Sequence, residues 1–362
     1  MASPATIQPH RKLPNEFALV VACCRWAFSS EGADEVRELA ASVDWSEFAQ
    51  TCRRHRVQGL GWHALNHLKV DLPAPAQIAL AADARAVADQ GLRAAEASAR
   101  VAEMFKAEGV PLLFLKGLTL AKLVYGNPFV KMSSDIDILV DPGNVAAAAA
   151  LLGRLGYRLD WPRDPSSLEH WHASRKESAW RGRDGMAVDL HSRVVDQPQL
   201  LPTINAAAPS QTVSVAPGLD LPTLADDELF AYLCVHGASS AWFRLKWIND
   251  LAAMLCGRDA NEISRLYDRS QQLGAGRAAA QALLLAAMLY GTALSDELCE
   301  LLNTRVNRWL ARAALSEMLR GEPTERLLGT RTIHLTQFFL LHGLSYKLSE
   351  LKRQASHAGG LF

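Results

Sequence analysis

"SSDIDILV", residues 133–140, sets two aspartates one residue apart inside a strongly β-prone run. Strand interiors normally exclude aspartate, so the placement of Asp135 and Asp137 needs a reason. Side chains on a strand alternate between faces, which puts Asp135 and Asp137 on one face and Ile136, Ile138 and Val140 on the other. The apolar face suits packing against helices. The acidic face carries two neighbouring carboxylates, whose repulsion is costly unless a cation or water relieves it. Two readings stay open at this point, a solvated strand end and a clamp for something positively charged.

A second segment repeats the parity. In "MAVDLHSRV" (186–194), Val188 and Leu190 point one way while Asp189 and His191 point the other. If the two strands are neighbours, Asp189 completes a cluster of three hard oxygen ligands. Such a set suits Mg²⁺ rather than zinc, because no soft ligands converge and Mg²⁺ takes a few carboxylates plus substrate phosphates. His191 is either a substrate contact or a strand histidine satisfied by a neighbour. Upstream, "FLKGLTL" (114–120) reads as a strand-to-helix turn with glycine at the bend. Amides at a helix N-terminus attract phosphate, Gly117 lets a ligand approach the backbone, and Lys116 adds a positive charge. Ser134 and Lys131, just before the aspartates, join them as candidate phosphate contacts, with a plain surface lysine as the equal alternative for Lys131. A lone D-x-D is common by chance; the order K-G, D-x-D, then a later strand aspartate is far less so.

Around this segment the chain predicts an α+β protein. Residues 1–109 read as successive helices, with breaks expected at Gly59 and Gly61 and one long alanine-rich helix running to Gly109. Residues 110–224 hold the α/β core. "VPLLFLKG" is a buried strand, "LTLAKLVYGN" a helix, "DIDILV" a strand, and "PGNVAAAAALLGRLGY" a helix. "HASRKESAWRGRDGMAVDLHSRV" forms two strands about an Asp184-Gly185 turn. The sum is a β-α-β-α-β-β unit with a small mixed sheet, followed by a loop with one extra strand near "TVSV". Residues 225–362 return to helices, so the small α/β core is embedded between helical regions.

Composition narrows the classes of function. Of 362 residues, 49% are hydrophobic, and Lys+Arg and Asp+Glu balance at 38 each. Long-range electrostatics therefore gives no reason to expect a duplex nucleic acid partner. The six cysteines have no metal-ligand spacing and read as buried reduced thiols, which points to a cytoplasmic protein. The apolar stretch near the start lacks a preceding basic stretch and a cleavage site and suits a core helix, and no run is long enough to span a membrane. "EHWH" sets His170 and His172 two apart without a third metal ligand, so both read as structural or solvated. Trp242 and Trp247 read as core, and "CRRHR" (52–56) as a solvated helix face. In "WFRLKWIND", Arg244 and Lys246 are candidate nucleotide contacts, with an i, i+4 pair of Lys246 and Asp250 as the plain alternative.

Taken together, "LKGLTLAKLVYGNPFVKMSSDIDILV", Gly156-Tyr157 and "VDLH" (188–191) resemble the nucleotidyltransferase superfamily typified by DNA polymerase β and the aminoglycoside nucleotidyltransferases. Within it the chain looks most like a bacterial family of uncharacterised nucleotidyltransferases, to which "RHRV" (54–57) and "FRLKWINDLAAML" (243–255) are also similar. The resemblance implies that Asp135, Asp137 and Asp189 bind metal, that Gly117 contacts phosphate, and that Mg²⁺ or Mn²⁺, as two ions, supports transfer of an NMP group from an NTP such as ATP. Two departures stand out. Gly117 is followed by Leu118 rather than Gly or Ser, and Lys131 stands where the family usually has arginine. The expected acceptor is a hydroxyl on a small molecule, peptide or protein. A toxin-like transfer to tRNA and a catalytically silent nucleotide-binding fold remain as alternatives, and oligomeric state is left open.

Overall fold

The computed structural model describes residues 13–163, 168–321 and 329–359. Its central feature is a five-stranded mixed sheet. The strands are β1 (Leu113–Phe114), β2 (Asp135–Leu139), β3 (Arg158–Trp161), β4 (Glu177–Arg181) and β5 (Ala187–His191), arranged in the order β1-β2-β5-β4-β3. β2 and β5 run parallel at the centre, and every other pairing is antiparallel. A parallel pair needs a long crossover; here it contains the helix Val145–Arg154, β3, the helix Leu168–Ser174 and β4.

The expected α+β architecture is present, with helical regions on both sides of the sheet in sequence. β1 is shorter than the apolar run around it. Pro111 has no N–H to give a ladder, although Leu115 extends the pairing by one bond, its amide donating to the Asp137 carbonyl at 3.1 Å. The Asp184-Gly185 turn joins β4 and β5 as expected, with Gly185 at φ 81°. Two strands escape the sequence reading. β3 is an edge strand with mostly exposed side chains, so it carries little apolar signal. The other is the partner of β6 (Ser210–Ala216), namely β7 (Leu219–Leu224), which contains Pro222; proline argues against a strand unless the ladder is small or at an edge.

Chain contacts divide the molecule into two units. One joins the described residues up to Asp83 with those from Phe230 onward, and the other is Ala84–Leu229. In the second unit, Ile136, Ile138 and Val140 of the β2 segment and Val188 and Leu190 of β5 are 5% exposed or less. They pack with Ala94, Ala97, Val101 and Phe105 of the long helix Ala74–Ala107 and with Ala148, Leu151 and Leu152 of Val145–Arg154. Each such side chain contributes about 1.5–3 kcal/mol, so the register of β2 is held by its apolar face.

The first unit is helical. Asn15–Ser29 buries Phe17, Leu19, Val20 and Trp26, as a core helix should; residues 1–12, on which the reading of the chain start also bears, lie outside the described residues. The break expected at Gly59 and Gly61 falls earlier, at Arg56 (φ 57°), and both glycines lie inside the helix Gln58–His67. A Cβ on Gly61 would stand 3.1 Å from Cys52 Sγ, so this glycine serves close packing of two helices rather than a turn. "CRRHR" is not a plain solvated face. Arg54 donates to the carbonyls of Glu317 and Met318 at the end of the helix Arg305–Leu319, where cations and donors are favoured. His55 is fully buried and accepts from the Leu245 amide at 3.0 Å. Burial and the neighbouring Arg54 and Arg244 hold its imidazole neutral, with a pKa lowered to about 3. Trp242 is fully buried against Gly237, while Trp247 is half-buried beside Phe243 and His236.

Four of the six cysteines are buried, Cys299 is half-buried and Cys256 is exposed, and all six are free thiols. Among the described residues, no helix is long and apolar enough to cross a membrane.

Candidate active site

The central parallel pair builds the site. β2 and β5 align Asp137 with Asp189, and the same register sets Asp135 against Ala187 and Leu139 against His191. Residues in register on parallel strands share a face, so Asp137, Asp189 and His191 emerge on the side opposite the helix-packed core, with Asp135 at the open end. Carboxylate oxygens of Asp135, Asp137 and Asp189 lie within 4.8 Å of one another.

The burial of these acids differs sharply. The Asp137 side chain is 4% exposed and that of Asp135 34%. Lys116, at the end of the β1 segment, donates its Nζ to Asp137 Oδ2 and stands 3.9 Å from Asp135 Oδ2. His191 is fully buried, with Nε2 3.1 Å from Asp137 Oδ1 and 3.1 Å from Glu177 Oε2. Burial alone would raise the Asp137 carboxyl, but Lys116 and His191 outweigh it and hold the group well below the usual carboxylate range.

Asp189 behaves in the opposite way. Burial, then the charges of Asp137 and Glu177, push its pKa from the ordinary 3.8 up to about 7, against a smaller lowering by His191. An acid so raised by burial and by neighbouring carboxylates is a site where a cation would be welcomed. The donor set consists of hard carboxylate oxygens, and Asp135 opens the cluster to solvent, so the residues fit a divalent ion of the magnesium type. Asp135, Asp137 and Asp189 are the residues that would hold it.

Glu177 is absent from the sequence reading. A lone glutamate in a strand has no motif to announce it, and only the β4/β5 register, which pairs Glu177 with His191, reveals its place. Burial tends to raise its carboxyl, but Lys176 and His191 bring it below the ordinary value. Behind it, His172 is buried between Ser192 Oγ, 2.8 Å from Nδ1, and Ser178 Oγ, 3.0 Å from Nε2. Its pKa is lowered to about 4, chiefly by burial, so it is a neutral structural histidine; His170 of the same pair is exposed.

The turn Lys116-Gly117 leads into the helix Leu118–Tyr125. Gly117 is its N-cap at φ 76° and ψ −122°, a conformation natural to glycine, and no side chain caps the first turn. Ser134 donates its Oγ to Asp135 Oδ1 at 3.2 Å. Lys131 is 5% exposed, which excludes a plain surface lysine. The structure thus brings together Lys116, Gly117, Ser134, His191 and the three aspartates in one unit. Arg244 and Lys246 belong to the helical unit, at the head of the helix Leu245–Leu255, where Arg244 lies 5.3 Å from the Phe243 ring centroid and Lys246 5.9 Å from that of Trp247.

Residues 41–291 match a family model described as "Uncharacterised nucleotidyltransferase". The match covers more than half of the chain, and the chain belongs to that family. No curated protein matches it.

Proposed function

We propose that this member of the uncharacterised nucleotidyltransferase family moves a nucleoside monophosphate from an NTP to an acceptor hydroxyl, with pyrophosphate leaving. The observation that carries the reading is the register of Asp137 with Asp189, which gathers three carboxylates beside a lysine and an uncapped helix N-terminus. Carboxylates alone would repel a triphosphate; next to donors of this kind they suit a metal-bound one.

In the proposed reaction the acceptor oxygen attacks the α-phosphorus in line, the bond from that phosphorus to pyrophosphate breaks, and the hydroxyl proton leaves. Magnesium or manganese, bound by the three aspartates, would supply charge neutralisation and activation of the hydroxyl. Asp189 is the proposed acceptor of that proton, its carboxylate lying within 4.8 Å of those of Asp135 and Asp137. Asp137 stays ionised and is held in one orientation by Lys116 and His191. Lys116, the amides after Gly117, Ser134 and Lys131 are the proposed phosphate contacts. Equal numbers of acidic and basic residues favour a small-molecule, peptide or protein acceptor over a nucleic acid.

The test is incubation of the purified protein with each NTP, Mg²⁺ or Mn²⁺, and separated small-molecule, protein and tRNA fractions of a host lysate. Acceptor-dependent pyrophosphate release that Asp137→Asn abolishes supports the reading. NTP binding without pyrophosphate release from any fraction points instead to a silent fold, and release with tRNA alone to the toxin-like alternative.

A further inference from the structure

Beside the aspartates lies a small pocket whose lining includes Lys116, Gly117, Thr119, Ser133 and Asp135. Ser133 is 4% exposed, and its Oγ is buried without a hydrogen-bond partner among the described residues. A hydroxyl left unpaired at that depth costs about 1–3 kcal/mol, and buried polar groups are almost always satisfied. The hydroxyl faces the approach that glycine keeps open: a Cβ on Gly117 would stand 3.5 Å from Ser133 Oγ. Across the same opening, the first turn of Leu118–Tyr125 has no side-chain cap, so its amides are available to an outside acceptor. The Leu118 side chain packs into the core and offers no donor beyond its backbone amide.

We infer that Ser133 is a triphosphate-binding residue, its hydroxyl donating to a phosphate oxygen of the NTP tail that the helix amides and Lys116 also hold. The inference rests on the nucleotidyltransferase reading above. The chemistry favours an anion: Lys116, the helix amides and the Ser133 hydroxyl are all donors, and Asp135 is the acceptor among them, suited to a metal ion carried with the phosphates. Ser134, one residue later, already gives its hydroxyl to Asp135 at 3.2 Å, so Ser133 is the hydroxyl of the two that lacks a partner among the described residues.

The experiment measures, on the full chain, affinities for ATP, GTP, CTP and UTP with Mg²⁺, for the matching monophosphate, and for Mn²⁺ alone. Ser133→Ala should weaken binding of the preferred NTP about 10–100-fold, leaving monophosphate and Mn²⁺ affinities within about twofold, and Ser133→Thr should restore it. Wild-type affinity in Ser133→Ala for an NTP that the native protein binds overturns this inference while leaving the nucleotidyltransferase reading intact. Parallel loss of NTP, monophosphate and Mn²⁺ binding would assign Ser133 a structural role and overturn it as well. Failure of the native chain to bind any NTP removes both.

Discussion

Replacing Asp189 by asparagine should make the metal-free protein more stable, and increasingly so as pH rises. Asp189 keeps its proton up to about pH 7 in the folded chain, whereas an ordinary aspartate releases it near 3.8. Between those values the unfolded chain has lost a proton that the native chain retains, so folding stability due to this group falls with pH. At about 1.36 kcal/mol per pH unit, the full effect is about 4 kcal/mol. Asparagine has nothing to ionise and escapes it. The stability advantage of Asp189→Asn over the native protein should therefore grow between pH 4 and pH 8 by about 2–4 kcal/mol, levelling off above 7. For a unit of this size that is roughly 5–10 °C in melting temperature. Paired thermal melts in EDTA across that range read it directly. Adding Mg²⁺ at pH 8 should then close the gap, because only the native site gains from the ion. An advantage that does not change with pH, or an asparagine variant less stable throughout, would refute the claim that burial and neighbouring carboxylates raise Asp189.

Three further outcomes follow from the same geometry. Lys116→Met leaves the buried Asp137 without its lysine and should cost about 3–5 kcal/mol, recovered in part by millimolar Mg²⁺; urea midpoints with and without the ion measure both. Glu177→Gln removes a charge that faces His191 and should weaken Mn²⁺ binding about tenfold, read by calorimetry, with the melting temperature in EDTA lowered little. His172, its pKa lowered to about 4, contributes stability that is complete above pH 6.5 and is lost as pH falls toward 4. Its imidazole should titrate near 4 by NMR, and a midpoint near 6.5 would contradict its burial between two serines.

The sheet centre was legible because "DIDILV" and "AVDLH" alternate cleanly: one face had to be core, and the other could then only be acidic. Parity alone does not say which strands pair, so the meeting of Asp137 with Asp189 became certain only with their register. What the sequence concealed lacked periodicity. β3 is an exposed edge, β7 carries Pro222, and Glu177 acquires meaning only opposite His191. Histidine posed a similar ambiguity: His191 reads equally as ligand contact or core, and its complete burial against Asp137 and Glu177 gives it a supporting place. Ser133 and Ser134 look alike in sequence, yet one hydroxyl is bonded to Asp135 and the other is buried without a partner. Gly61 misled for a physical reason too, since glycine serves close helix packing as readily as it ends a helix.

The central claim, nucleotidyl transfer at the three aspartates, is tested most directly by following two labels on one NTP. With Mg²⁺ and the acceptor fraction present, the account predicts that an α-phosphate label enters the acceptor while a γ-phosphate label leaves as pyrophosphate, and that Asp137→Asn stops both. A γ-label appearing in the acceptor, or transfer that persists in Asp137→Asn, would contradict it.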